Sequence, residues 1–295
     1  MLLMLYKNMF SRRSFLSQFL VGLLIGCTPK KTIGGDKLVI GIVGYGEEKK
    51  SIEQYQRFKE HMSAMTNSII ELEPTFNEVK ALEQIKRRAW SLVFAPPGLA
   101  AIAMSKEQYT PIFALQGPVN LHSVLVVRAD SPVTKILDLQ NRAVALGQVG
   151  SATGYYLPIY DLYGLTLSEI VFASTPKNVL ELIENGTVAA GALSKVEFES
   201  LSRQIGKEKF RILSTSTQSV PSGLVLLAPT VERNQAELIV NVMKSASPTV
   251  INEAGYIPNV AIPDYTFLIK VVERVRPIVT RIKQKPAPLF EEIQK

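Results

Sequence analysis

Ala143-Val144-Ala145-Leu146-Gly147-Gln148-Val149-Gly150-Ser151-Ala152-Thr153-Gly154-Tyr155-Tyr156-Leu157-Pro158 is the stretch on which the fold turns. Its first four residues read as a short buried strand, and a helical pattern runs from Tyr155 to Tyr163. The loop between them puts small residues, two hydroxyls and free backbone N–H groups at a helix N-terminus. Unpaired amides and the positive end of the helix dipole can solvate an oxyanion there, with Ser151 and Thr153 as further donors. Chemistry alone leaves two readings open, an anion cradle or an ordinary hydroxyl-capped glycine turn.

Outward from this loop, strand-like runs alternate with helical patterns, as in an α/β protein built on largely parallel sheets. On the N-terminal side, Leu38 to Val43, Ile69 to Leu72, Leu92 to Ala95 and Ile112 to Leu115 read as strands. Between them, Ile52, Tyr55, Phe58, Met62 and Met65 recur at helical spacing, and a helix from Phe76 to Trp90 should turn Val79, Leu82 and Ile85 inward. Pro96-Pro97-Gly98 reads as a turn closing that series. A strand at Ser123 to Val127 leaves this first lobe. A second series then follows, with strands at Ala143, Ile170, Val188 and Phe210 and helices around Val179 to Ile183 and Val196 to Ile205. Ser174-Thr175-Pro176 has the form of a helix start and Gly186 of a stop. Leu224 to Leu227 returns as a strand, and the remainder from Val231 reads mainly helical. Two lobes joined by crossing strands follow: 37–122 with 225–295, and 123–224.

The N-terminal segment has a different character. Arg12-Arg13 precedes an apolar run in which 8 of the 11 residues from Phe15 to Ile25 are hydrophobic. That is too short to span a bilayer, which needs about 20 apolar residues, and a cleaved secretory signal fits better. Leu24-Ile25-Gly26-Cys27 resembles the lipobox of bacterial lipoproteins, which implies a signal at 1–26, a lipid on the Cys27 sulfur and a membrane-anchored tether at 27–36. Ser11-Arg12-Arg13-Ser14-Phe15-Leu16 also resembles the twin-arginine export motif, although arginine pairs occur in ordinary signals too. The apolar prefix Met1 to Leu5 leaves Met9 as an alternative start. Removing 1–26 takes away three basic residues and no acids, so the formal charge of +7 falls to +4 and nucleic acid recedes as a partner.

Composition excludes several functions. The single cysteine cannot form an intramolecular disulfide, and His61 and His122 stand far apart without metal-binding companions, so no metal site and no cofactor are expected. There is no Gly-x-Ser-x-Gly elbow and no Walker A loop, and Gly41-Ile42-Val43-Gly44-Tyr45-Gly46 lacks dinucleotide-binding spacing. Catalysis has no visible candidate.

Ser151-Ala152-Thr153-Gly154-Tyr155-Tyr156-Leu157-Pro158 resembles the Ser-Thr-Ser-Gly-Tyr-Leu-x-Pro segment of the phosphate/phosphonate/phosphite periplasmic binding proteins of ABC importers. Val126 to Pro132, Leu137 to Arg142, Val171 to Ala173 and Val179 to Gly186 resemble further family segments in the same order. The resemblance implies a two-lobed type II periplasmic binding protein that closes on a small anion and delivers it to an ABC permease. It carries over to Ser151, Ala152, Thr153 and Gly154 as the anion cradle and, more loosely, to Tyr45. His122 and Ser123, at the start of the hinge strand, are ligand or structural residues. Three departures bear on the cleft: Pro176 stands near a usual histidine, Ala189 at a usual aspartate and Leu99 at a usual tyrosine. Lys177 is either a replacement charge or part of a solvated helix face. The same departures fit a second reading, a sensory or scaffold lipoprotein with a changed cleft.

Overall fold

Apolar runs bordered by helices can bury both faces only inside a sheet covered on each side, and the chain does this twice. In the computed structural model, which describes residues 36–44, 52–118 and 121–291, the first series gives β1 (Lys37–Val43), α1 (Gln56–Thr66), β2 (Ile69–Thr75), α2 (Glu78–Lys86), β3 (Leu92–Ala95), α3 (Pro97–Glu107) and β4 (Thr110–Leu115). The second gives β5 (Ser123–Arg128), β6 (Ala143–Leu146), α4 (Leu157–Asp161), β7 (Thr166–Leu167), β8 (Glu169–Phe172), α5 (Pro176–Glu184), β9 (Ala190–Ser194), α6 (Lys195–Ile205) and β10 (Phe210–Thr215). The chain then returns through β11 (Leu224–Leu227), α7 (Arg233–Lys244), α8 (Pro248–Ala254), β12 (Tyr256–Ile257), α9 (Thr266–Val275) and β13 (Ala287–Pro288). The signal, Cys27, the tether and Tyr45 lie outside the described residues. Among the described residues no helix is long and apolar enough to cross a membrane.

One sheet has the order β12-β4-β11-β3-β1-β2, the other β10-β5-β9-β6-β8. β1 runs parallel to β2 and β3, and β6 runs parallel to β8 and β9. The chain crosses between the sheets twice, before β5 and after β10, and the crossings meet at the antiparallel bridge Leu121↔Val220. The expected two-lobed α/β architecture is therefore present. The C-terminal stretch, expected with the first lobe, crosses to the second, where β13 pairs with β7.

Strand alternation divides the core. Leu92 and Phe94 face one way, onto α1 and α7, whereas Val93 and Ala95 face the other. In the second sheet Val124 and Val126 pack under α5 and α6, while Leu125 and Val127 join Val93 and Ala95 in one continuous core. α9 fills the space between the sheets with Leu268, Val271, Val272 and Val275, its apolar face packed on both α3 and α4.

Two further expectations change. Pro96-Pro97-Gly98 does not end the first series; Pro97 opens α3, where every residue from Gly98 to Ala103 is buried. A helix that is apolar all round shows no amphipathic period, so its sequence pattern was silent. In α2, Val79 is 66% exposed, and Glu78, Ala81 and Ile85 form the inward face. The helix is turned so that an acid faces the interior.

Because both lobes share one core, urea should unfold the protein in a single transition seen alike by Trp90 fluorescence and far-ultraviolet dichroism. Leu268→Ala is expected to cost about 2–5 kcal/mol while preserving that coincidence; two separated transitions would show that the lobes fold independently.

Candidate functional site

The loop after β6 begins its helix earlier than the apolar pattern suggests. A π-helical turn at Ala152–Tyr156 leads directly into α4, and Ser151 is the cap. Ser151 Oγ accepts the Gly154 N–H at 3.0 Å, leaving the hydroxyl proton free to donate elsewhere. The Tyr155 and Tyr156 N–H groups both bond to Ser151 O, while Gly147 N–H closes the loop on Gly154 O at 2.9 Å. The Ala152 and Thr153 amides occupy the first helical positions, which have no intrahelical acceptor. Ser151, Ala152, Thr153 and Gly154 thus come together at the carboxyl end of a parallel strand, where open α/β sheets place their ligands.

Ser123 and His122 bear on this loop differently. Ser123 is buried, and its hydroxyl donates to Thr153 O at 2.6 Å, so it holds the loop from beneath. Its N–H donates to Ser216 Oγ at 3.0 Å, tying the two crossings together. His122 Nδ1 lies 2.9 Å from Ser216 O. A carbonyl only accepts, so Nδ1 carries a proton in this contact.

One cavity borders the loop, and a second has no residue of the loop in its lining. A small one of about 70 Å³ is lined by Gln148, Ser151, Gly154, Ser174, Thr175 and Pro176 among others. Thr175 is the N-cap of α5, and Pro176 occupies its first turn, as the sequence indicated. The larger cavity, about 230 Å³, lies on the first lobe at the ends of β1, β3 and β4. Gly44, the described residue preceding Tyr45, lines it.

Of the three departures, only Pro176 lines a described cavity near the loop. Leu99 is fully buried in the shared core. Ala189 is at the opposite end of its sheet: its N–H bonds to Ala143 O at the start of β6, whereas the loop follows the end of β6. Because β6 and β9 are parallel, position 189 lies at the end of the sheet away from the loop. Lys177 is exposed and pairs with Glu181 at 3.9 Å along the helix.

Sequence reasoning missed Glu78. It crosses from the first lobe to the second, where Tyr156 Oη donates to its Oε1 at 2.6 Å. Its Oε2 is buried without a hydrogen-bond partner and rests on Gly150, whose φ of +99° and lack of a Cβ make room for it. Gly98 of α3 presses on Gly150 O beside it, and a Cβ at either glycine would collide across this seam. Gln148 Nε2 adds a long contact to Phe76 O at 3.4 Å. Burial pushes the Glu78 carboxyl up to about 7, against the opposing effects of the Tyr156 hydrogen bond and of Arg276. The signal available in the sequence was only an acid following the Asn77 cap, which normally marks a solvated first turn.

These loops and crossings define a class, the two-lobed periplasmic binding fold. XAC2383 from Xanthomonas citri, bound to ATP, aligns with a TM-score of 0.68 at 19% identity, over 83% of this chain and 100% of that one. PhnD1 from Prochlorococcus marinus, in complex with methylphosphonate, aligns with a TM-score of 0.61 at 15% identity, over 82% and 99%. A putative periplasmic sulfonate-binding protein, SsuA from Methylobacillus flagellatus, gives 0.54 at 15% identity, over 87% and 90%. At these identities the likeness is one of fold. Residues 40–257 match the sequence pattern of the ABC transporter, phosphonate, periplasmic substrate-binding protein family, and the chain belongs to that family. No curated protein matches the chain by sequence.

A carboxyl that ionises near pH 7 when folded and near 4.5 when unfolded retains its proton on folding between those values. Stability should therefore fall as pH rises through that window, by on the order of 3 kcal/mol for Glu78, and then level off. Asp161, pushed up to about 6 by burial, adds a smaller decline of the same sign. Urea titrations between pH 4.5 and 8 should show this loss, and Glu78→Gln should retain only the Asp161 part.

Proposed function

We propose that this chain is the solute-binding lipoprotein of an ABC importer, anchored through a lipid on Cys27 and capturing a small oxyanion between its lobes without chemical turnover. The observation that carries the reading is the Ser151-capped turn at the end of β6, held from below by Ser123 and facing the first lobe across the Glu78 seam. The Ala152 and Thr153 amides, with the Ser151 and Thr153 hydroxyls, would take the place of water around the anion. Fixed dipoles do this without reorganising, which favours selective capture. Gly154 lets the loop close on Gly147, where a Cβ would crowd the Gly147 backbone and the Ser151 hydroxyl. Tyr45 and the Nε2 side of His122 are the further candidates for ligand contact, and closure of lobes 37–122 with 225–295 onto 123–224 would present the complex to the permease.

Calorimetry with phosphate, phosphite, methylphosphonate, alkylsulfonates and ATP tests the ligand class. At least one oxyanion should bind, and Ser151→Ala should weaken it about 10- to 100-fold, the worth of one hydrogen bond to a charged group. Binding of a neutral solute with no response to any anion would overturn the reading. Cys27→Ser should abolish palmitate labelling and release the protein from the membrane fraction of an expressing bacterium; unchanged labelling would exclude Cys27 as the anchor.

A further inference from the structure

Glu78 belongs to the first turn of α2 on the first lobe, yet both of its carboxyl oxygens meet the second-lobe segment that carries Ser151. Oε1 accepts the Tyr156 hydroxyl at 2.6 Å, and Tyr156 is the last residue of the π-helical turn. Oε2 rests on Gly150, the residue before the Ser151 cap, where a Cβ would lie 1.8 Å from it. One acid thus touches the residue that enters the cradle and the residue that ends it. Glu78 is only 4% exposed, and Oε2 has no hydrogen-bond partner. Holding the loop needs only the acceptor at Oε1, which an amide would also supply. The unpartnered second oxygen makes the position sensitive to charge, because ionisation leaves a buried negative charge with a single donor.

The groups around this carboxyl come from three other elements. The π-helical turn presents the Tyr155 and Tyr156 phenols, and the turn after α9 presents the half-buried Arg276 guanidinium. Gly98 of α3 and Gly150 itself bring no charge. Burial outweighs the phenol and the guanidinium, so the carboxyl ionises near pH 7. An anion on the Ala152 amide would sit two residues from Gly150, as a second negative charge beside an ionised Glu78. Like charges sharing a partly buried site favour the protonated form, so anion and proton should each promote binding of the other.

From this placement we infer that Glu78 is a positioning residue for the anion cradle, acting through Gly150 and Tyr156, and that capture of an oxyanion at Ser151 is coupled to uptake of a proton by its carboxyl. The inference rests on the oxyanion reading above and adds its regulation by pH. The proton comes from solvent, and no bond to the ligand forms. A protonated Glu78 is a neutral neighbour to the anion, and an ionised one is a carboxylate. Affinity should therefore be highest below pH 7, fall by about tenfold as pH rises through and beyond 7, and then level off, the scale of one charge pair in a partly buried site.

Calorimetry on the full chain tests this with sulfate, alkylsulfonates, phosphate, phosphite, methylphosphonate and ATP, between pH 5.5 and 9 in buffers of different ionisation enthalpy. Sulfate and the sulfonates keep one charge across that range, and for the phosphorus anions Glu78→Gln supplies the reference for their own titration. For an anion that binds, wild type should take up a fraction of a proton near pH 7 beyond that of Glu78→Gln, and should lose about tenfold in affinity relative to the variant by pH 9. Tyr156→Phe removes a donor that favours the charged carboxyl, so the fall in affinity should move to higher pH. Should Glu78→Gln fail to fold, that displacement still decides. Equal pH profiles in wild type and Glu78→Gln, or a profile that Tyr156→Phe leaves in place, would overturn the inference and leave the oxyanion reading intact. No binding by any of these anions would overturn both.

Discussion

Leu92-Val93-Phe94-Ala95 turns alternate side chains to opposite faces of its sheet, and Val124 to Val127 does the same in the other sheet. The inner set from each sheet meets in one core, closed by the apolar face of α9. The rest of the structure depends on this shared burial. It brings the ends of β1 and β3 opposite the end of β6, and the facing loops of both lobes follow from there.

With the lobes so placed, the seam between them is crowded. Gly98 lies on the Gly150 carbonyl, Glu78 lies on Gly150 itself, and Tyr156 holds the other carboxyl oxygen. The seam buries an acid at a cost, and that cost is offset by one short hydrogen bond and by the surrounding core. With its pKa raised by burial to about 7, Glu78 carries less than a full negative charge beside the loop at neutral pH. The positive contributions at that turn come from backbone dipoles and hydroxyls.

Much of the architecture was legible because its signals are local. The runs at Leu38, Leu92, Ala143 and Leu224 are short, apolar and bounded by turn residues, and Thr175-Pro176 combines a hydroxyl cap with a proline in the first turn. Ser151 was legible as a cap for the same reason. α3 was not, because a helix buried on every side has no polar face to mark its period. The inward turn of Glu78 was not, because periodicity assigns the interior to Val79 and Leu82 and cannot foresee a glycine on another lobe making room for a carboxyl. Ala189 looked like a lost cleft residue only while its place beside the start of β6 was unknown, and Leu99 only while its burial in the shared core was.

The sequence by itself determined the alternation of strands and helices, the cap at Ser151, the family and the expected export signal, since each depends on residues near one another in the chain. Tertiary structure alone decided which groups face the loop across the seam. The contacts of Glu78 with Gly150, Gly98 with Gly150, and Phe76 with Gln148 join residues about fifty or more positions apart, and they form only after both sheets have buried their inner faces in a common core.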